Sequence, residues 1–318
     1  MLFRSFGHGY ATAAPQGVKM FEAFYPALNW NAIRHEWPHS AHSVFVRCGE
    51  MRWHVQRMGQ GPVLLLLHGT GASTHTWREV MPLLAARYSV IAIDLPGHAF
   101  SSPLDKEPSL PHVAQAVRDL LAQLQVRPVV WVGHSAGAAI AAQCCLDPAW
   151  LAQGATPRLV ALNPAWLPMP GSARWLYPLA AWVVGRNPLS GWLAAKQVQH
   201  TRLVDRLLQQ TGSTIDESGR RCYEYLLTQP THARHVLHMM AAWDLQAMAR
   251  LLPSLMVPVQ MQIGMADGTV PPSLADHAMA VLPNATRIDF ATLGHLAHEQ
   301  APQRCVDAIE KFVARPHT

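Results

Sequence analysis

The sequence predicts an α/β protein: a mostly parallel sheet covered by helices and interrupted by one helical insertion. Three observations carry that reading. Short, unbroken apolar runs such as Val63-Leu64-Leu65-Leu66-Leu67 suit strands buried on both faces, as in a parallel sheet. These runs alternate with stretches of helical period, the βαβ pattern. Between residues 165 and 245 the alternation stops, and tryptophans and prolines without a sheet-like period take its place.

Residues 1–40 read as an N-terminal extension. Phe21, Phe24, Tyr25, Leu28 and Trp30 can share one apolar face, which leaves open packing on the domain, a partner contact or a peripheral membrane contact. Ser43–Arg47 and Arg52–Arg57 alternate around Gly49-Glu50 and read as a hairpin. The strand Val63–Leu67 stops at His68-Gly69-Thr70-Gly71, and a helix is expected over His75–Ala86. Ser89–Ile93 is the next buried strand, followed by Asp94-Leu95-Pro96-Gly97-His98, a turn that would shape the floor of a cleft. Then come a helix (His112–Leu124), a strand (Pro128–Val132), a helix (Ala138–Leu146) and a strand (Arg158–Leu162). The insertion holds Trp166, Trp175, Trp182 and Trp192 and reads as a helical lid. After it the alternation resumes with Val257–Ile263, Pro272–Val281, Thr286–Phe290 and Pro302–Val313. The core is thus expected over residues 41–164 and 246–318.

Composition narrows the function. Half of the 318 residues are hydrophobic and 14% are charged, enough to bury a core and unlike a disordered chain. The net charge of +5 is scattered, with no Lys/Arg block, so no nucleic-acid partner is expected. Five cysteines, an odd number with no CxxC or Cys/His ligand spacing, argue against a disulfide framework or a zinc site. No apolar signal segment opens the chain, and the longest apolar run, Trp175 to Gly185, is broken by Pro178. A spanning helix needs about 20 residues, so the expectation is a cytoplasmic protein. His232, His235 and His238 have the spacing of one helix face and leave weak adventitious metal binding open. Neither G-x-G-x-x-G nor G-x-x-x-x-G-K occurs, and no cofactor is expected.

The chemistry-bearing segment is Gly133-His134-Ser135-Ala136-Gly137, a G-x-S-x-G pattern set between a buried strand and a helix. A serine hydroxyl is a weak nucleophile unless it is exposed, unhindered and beside a base. A sharp strand-to-helix turn presents it, and Gly133 and Gly137 keep that nucleophile elbow free of bulk. Asp267 follows one later strand and His295 the next, giving the chain order Ser, Asp, His at the C-terminal ends of strands. Ser135 is expected as nucleophile, His295 as general base and Asp267 as the acid that fixes the imidazole tautomer. His298 and His134 are rivals for the base, and Asp244 is the alternative acid. The oxyanion hole is expected from the backbone N–H groups of Ala136 and Thr70, with His68 holding the loop.

These features together resemble the α/β-hydrolase superfamily over about residues 43–315. A narrower resemblance rests on the stretch Arg52-Trp53-His54-Val55-Gln56-Arg57-Met58-Gly59 leading into Leu64 to Trp77. It rests too on Thr211-Gly212-Ser213-Thr214, on Met239-Met240-Ala241-Ala242-Trp243-Asp244-Leu245, and on Gly294-His295-Leu296-Ala297-His298-Glu299. This set resembles the magnesium chelatase accessory proteins of bacteriochlorophyll biosynthesis, over about residues 36–312. Two departures stand out: Ala99 where many relatives have glycine, and Gln300 where a second glutamate is common.

Two functions are expected to compete. The first is a serine hydrolase acting on a small apolar carboxylic ester or related acyl compound, with the lid forming an apolar pocket. The second, implied by the resemblance, is a tetrapyrrole-binding accessory protein in which hydrolysis is incidental. The apolar lid also leaves open a homodimer contact.

Overall fold

The computed structural model describes residues 28–169, 192, 193, 196 and 203–315. Helix α1 (Trp30–Ile33) and a 3-10 turn (Ser40–His42) lead into β1 (Ser43–Cys48) and β2 (Met51–Met58). Next come β3 (Val63–Leu67), a 3-10 turn (Thr74–Trp77), α2 (Val80–Ala85), β4 (Ser89–Ile93) and α3 (Leu110–Gln123). The central unit follows as β5 (Val130–His134), α4 (Ala136–Cys145), α5 (Pro148–Leu151) and β6 (Arg158–Leu162). Before the next strand lie α6 (Leu203–Gln210), α7 (Glu217–Leu227), α8 (Pro230–Ala242) and α9 (Leu245–Leu251). The chain closes with β7 (Val259–Gly264), α10 (Ser273–Val281), β8 (Ala285–Phe290), α11 (Ala297–Gln300) and α12 (Pro302–Val313).

The eight strands form one sheet in the order β1-β2-β4-β3-β5-β6-β7-β8. Strand β2 runs antiparallel to both neighbours, and every other pair is parallel. The leucine run shows why the sheet must be covered twice. Successive side chains point to opposite faces, so Leu65 and Leu67 join Trp131, Ile91 and Val117 in one core. Leu64 and Leu66 join Trp77, Met81 and Phe312 in the other.

Of the boundaries that differ from the sequence reading, three have a proline behind them. Strands β5 and β7 start at Val130 and Val259 rather than at Pro128 and Val257. Pro128 and Pro258 have no N–H to give to a ladder, and regular pairing starts beyond them. The helix expected over His75–Ala86 is split into a 3-10 turn and α2. Pro82 cannot donate to Arg78, so the helix cannot run through; the Arg78 carbonyl instead accepts from His39 Nε2 at 2.6 Å.

The part of the N-terminal extension that the structure describes packs on the domain. Leu28 and Trp37 are buried with Phe100, Cys222 and Leu226, and Gln56 Nε2 donates to Pro38 O at 2.7 Å. Phe21, Phe24 and Tyr25, like Trp175 and Trp182, lie outside the described residues. All five cysteines are free thiols; Cys144 is buried on α4, and burial pushes its thiol up to about 12. Among the described residues no helix is long and apolar enough to cross a membrane.

Candidate active site

Ser135 sits between β5 and α4 with φ 51° and ψ −113°, a conformation that costs a non-glycine residue about 1–3 kcal/mol. The surroundings hold it there. Ser135 N donates to Leu162 O at 2.9 Å, and Ser135 O accepts from Ala138 N and Ala165 N. The two glycines are needed for close approach rather than for φ. A Cβ on Gly137 would stand 2.1 Å from Leu67 O, and one on Gly133 2.5 Å from the Cα of Ala138. The loop after β3 lies against the elbow, since a Cβ on Gly69 would come within 3.2 Å of Ser135 Cβ. Thr70 follows in that loop, half-buried, and Ala136 is the buried first residue of α4. His68 ties this loop down: Nδ1 donates to Gly69 O, and Nε2 accepts from Leu95 N.

Asp267 follows β7 and His295 follows β8, and the fold brings their side chains together. His295 Nδ1 donates to Asp267 Oδ2 at 2.6 Å, with both side chains buried. That donation leaves Nε2 as the nitrogen with a free lone pair, the tautomer a general base needs. The carboxylate is held by three further donors. Thr269 N and Val270 N reach Oδ1 at 2.7 and 2.9 Å, and Asn163 Nδ2 reaches Oδ2 at 2.7 Å. Asn163 directly follows β6 in the left-handed region, φ 43°, and its Oδ1 accepts from Gly264 N. Sequence reasoning missed Asn163; the one available signal was a polar residue directly after a buried apolar strand. A small pocket beside it is lined by Trp166, Leu167, Ile263, Val270 and Pro271 among others.

The rivals have other partners. His134 Nε2 donates to the carbonyl oxygen of His295 at 2.9 Å, with its ring centroid 4.6 Å from that of His295. Burial, helped by His298 and His295, holds the His134 imidazole far below the usual histidine range. His298 donates through Nε2 to Thr76 Oγ1, and burial drives it down to about 3. Asp244 caps α9, accepting from Gln246 N and Ala247 N. Gln300, one of the two departures, accepts from Gly294 N through Oε1 at 3.3 Å, a bond that a glutamate oxygen would make equally well. Ala99, the other, adopts φ 43°, where glycine would be free of the roughly 1–2 kcal/mol cost of a left-handed L-residue.

A buried polar network surrounds Glu299. Glu299 accepts from Thr76 Oγ1 and Tyr223 Oη on Oε1 and from Arg78 Nη1 on Oε2. Arg78 reaches on to Asp216, the N-cap of α7. Burial is the largest influence on Glu299 and pushes its carboxyl up, against the pull of Arg78. Arg78→Met should therefore cost about 3–5 kcal/mol, because it leaves a buried carboxylate without its cation. The loss should grow with pH. Without Arg78 the folded state holds a proton that the unfolded chain releases, so stability falls as pH rises above the usual carboxylate range. Melting curves at pH 5.5 and pH 8 check this; an equal loss at both would remove the buried-charge explanation.

A second Ser-His-Asp chain exists in the protein. Ser43 Oγ lies 2.9 Å from His54 Nε2, and His54 Nδ1 lies 2.7 Å from Asp94 Oδ2. Its surroundings are those of a structural tie. His54 is fully buried under the rings of Trp30, Phe45 and Phe100. Ser43 also accepts from Gln56, while Asp94 accepts from Thr74 N and Phe100 N. Of the histidine trio on α8, His232 has both ring nitrogens engaged, by Ala99 N and by Gly71 O. Among the described residues no group of three or more His, Cys, Asp or Glu could hold a metal ion.

Comparison with known proteins agrees with this architecture. The family model described as alpha/beta hydrolase fold matches residues 62–302. The magnesium-chelatase 30 kDa subunit of Rhodobacter capsulatus is 38% identical over 275 residues, 85% of this chain and 94% of that protein. A pimeloyl-[acyl-carrier protein] methyl ester esterase of Methylococcus capsulatus is 32% identical over 272 residues, 82% of this chain and 98% of that protein. Among solved structures, epoxide hydrolase CorEH without ligand superposes with a TM-score of 0.71 at 24% identity, covering 86% of this chain and 98% of its own; at that identity the likeness speaks for the fold alone. The strand order, the elbow and the family match converge on one statement: this chain belongs to the α/β-hydrolase fold family.

Proposed function

We propose that the protein is a serine hydrolase acting on a carboxylic ester or a related acyl compound. The observation that carries this reading is the 2.6 Å hydrogen bond from His295 Nδ1 to Asp267, on the two loops that follow β7 and β8. It leaves Nε2 available to a serine presented on a strained elbow. Ser135 Oγ attacks the acyl carbon while His295 Nε2 takes its proton, and the imidazolium returns that proton to the leaving alcohol. Water then attacks the acyl-enzyme by the same route, with Asp267 supporting the imidazolium each time. The N–H groups of Thr70 and Ala136 hold the oxyanion; each such donor is worth about 2.7–4 kcal/mol in the transition state. A relative named as a methyl ester esterase supports the substrate class.

One observation favours a second reading. The relative at 38% identity is named a magnesium-chelatase subunit, which supports a tetrapyrrole-binding accessory role with incidental hydrolysis. A panel of p-nitrophenyl esters from C2 to C12 separates the two. The hydrolase should show a burst of p-nitrophenol stoichiometric with enzyme and then steady turnover, with an optimum that sizes the acyl pocket. A folded protein that turns over none of them would move the accessory role to first place. Porphyrin titration then decides: a Soret shift reversed by an ester substrate would join the two readings in one site.

A further inference from the structure

The segment Thr211-Gly212-Ser213, at the end of α6, contacts no Ser135 atom in the bonds described above, yet it touches both loops of the acid–base pair. His295 N donates to Thr211 O at 2.8 Å, and Gly268 N, beside Asp267, donates to the same oxygen at 3.4 Å. Leu296 N donates to Ser213 Oγ at 2.9 Å. Three backbone N–H groups flanking the acid and the base thus converge on two atoms of one turn.

The turn also carries bonds of its own. Gly212 adopts φ 70°, the left-handed conformation that commonly ends a helix, and its N–H returns to Gln209 O. Thr211 Oγ1 donates to Leu208 O and accepts from Ser213 N. The fit against both loops leaves no room for side chains. A Cβ on Gly212 would stand 1.9 Å from Ala266 O, and one on Gly294 would stand 2.3 Å from the carbonyl carbon of Gly212 and 2.5 Å from Ser213 Oγ. On the other side, a Cβ on Gly268 would meet Gln210 O at 2.2 Å.

We propose that this turn is a clasp that sets the distance between Asp267 and His295, with Ser213 as a positioning residue for the base. The inference rests on the hydrolase reading above for its kinetic consequences, but not for its geometry. The chemistry follows from tolerance: a base displaced by an ångström loses much of its rate. Removing the Ser213 hydroxyl frees Leu296 N, and the His295 loop can then drift from the carboxylate.

Ser213→Ala is the test, read in two ways. In ester hydrolysis kcat should fall about tenfold with KM within about twofold of wild type, a barrier change of roughly 1.4 kcal/mol. The acid limb of the kcat/KM profile should move to lower pH, because a loosened carboxylate supports the imidazolium less. Independently of any substrate, the downfield proton resonance of His295 Nδ1–H, assigned by its loss in His295→Ala, should shift or broaden. Ser213→Thr, which restores a hydroxyl, should recover both signals. If Ser213→Ala does not fold, Ser213→Cys, similar in volume but a weak acceptor, takes its place. A variant with lowered melting temperature but wild-type kcat, pH profile and resonance would overturn the clasp. A wild type that hydrolyses no ester, with the resonance still changed by Ser213→Ala, would overturn the ester reading and leave the clasp standing.

Discussion

Ser135→Ala is expected to lower kcat for p-nitrophenyl esters by about 10⁶-fold, the effect of removing the nucleophile from a triad that works as a unit. The protein should stay folded. Alanine has the same left-handed cost as serine at φ 51°, and the hydrogen bonds that fix the elbow are all backbone bonds, Ser135 N to Leu162 O and Ala138 N to Ser135 O. The remaining rate should still exceed that in water by about 10³–10⁴, because the oxyanion donors are backbone groups that the substitution leaves in place. Adding His295→Ala to Ser135→Ala should cost almost nothing more. A serine-directed fluorophosphonate probe supplies a second measurement. It should label wild type at Ser135 and fail on Ser135→Ala, because Ser43 Oγ is engaged by His54 and Gln56 and His54 itself is buried under aromatic rings. Labelling of Ser43 in the variant, or turnover near the wild-type rate, would show that the chemistry belongs elsewhere.

Asp267→Asn should cost about 10⁴-fold in kcat, with the fold intact. The reason lies in the donors around the carboxylate. Oδ1 faces two immovable backbone donors, Thr269 N and Val270 N. An asparagine amide must therefore put its oxygen there and turn its NH₂ toward His295. The imidazole then has to accept at Nδ1 and carry its proton on Nε2, so it meets Ser135 with no lone pair to offer. Asn163 worsens the conflict, since its own NH₂ points at the same position. Asn163→Asp in the Asp267→Asn background would replace that donor with an acceptor for the new amide, and should recover stability but not rate. Rates at saturating ester, with thermal melting as the control for folding, check both expectations. A loss of less than about tenfold would mean that His295 finds its tautomer without Asp267, and the role of the acid would need reassignment.

Much of the candidate site was legible because its candidate residues sit where local sequence is most informative. Ser135, Asp267 and His295 each follow a run of buried apolar residues, and the G-x-S-x-G pattern marks a turn whose glycines have visible steric reasons. The leucine run announced a two-faced sheet, and Leu64 to Leu67 divide between the two cores as a parallel strand requires. Boundaries slipped where one missing N–H outweighs a long apolar pattern, at Pro82, Pro128 and Pro258. The supporting residues were hidden for a different reason. Asn163 acts on Asp267 across 104 positions and Ser213 on Leu296 across 83. Neither partner leaves any local period or composition. The Thr211-Gly212-Ser213-Thr214 pattern was visible as a family likeness, but only the packing of Gly212 against Ala266 and of Gly294 against Gly212 shows what it does.

The Arg78–Glu299 pair joins residues 221 positions apart, and His295 lies just four positions before that glutamate. A chain is made from its N-terminus, and its parts fold roughly as they are completed. During translation the elbow, the loop after β3 and helices α6 to α8 therefore all exist before β8 and His295 do. On the reading proposed here, the growing polypeptide holds a serine without a base until β8 and the loop after it are released. A truncated product ending anywhere before β8 would then be chemically inert rather than an unselective esterase, and the cell would be spared stray acyl cleavage by unfinished copies.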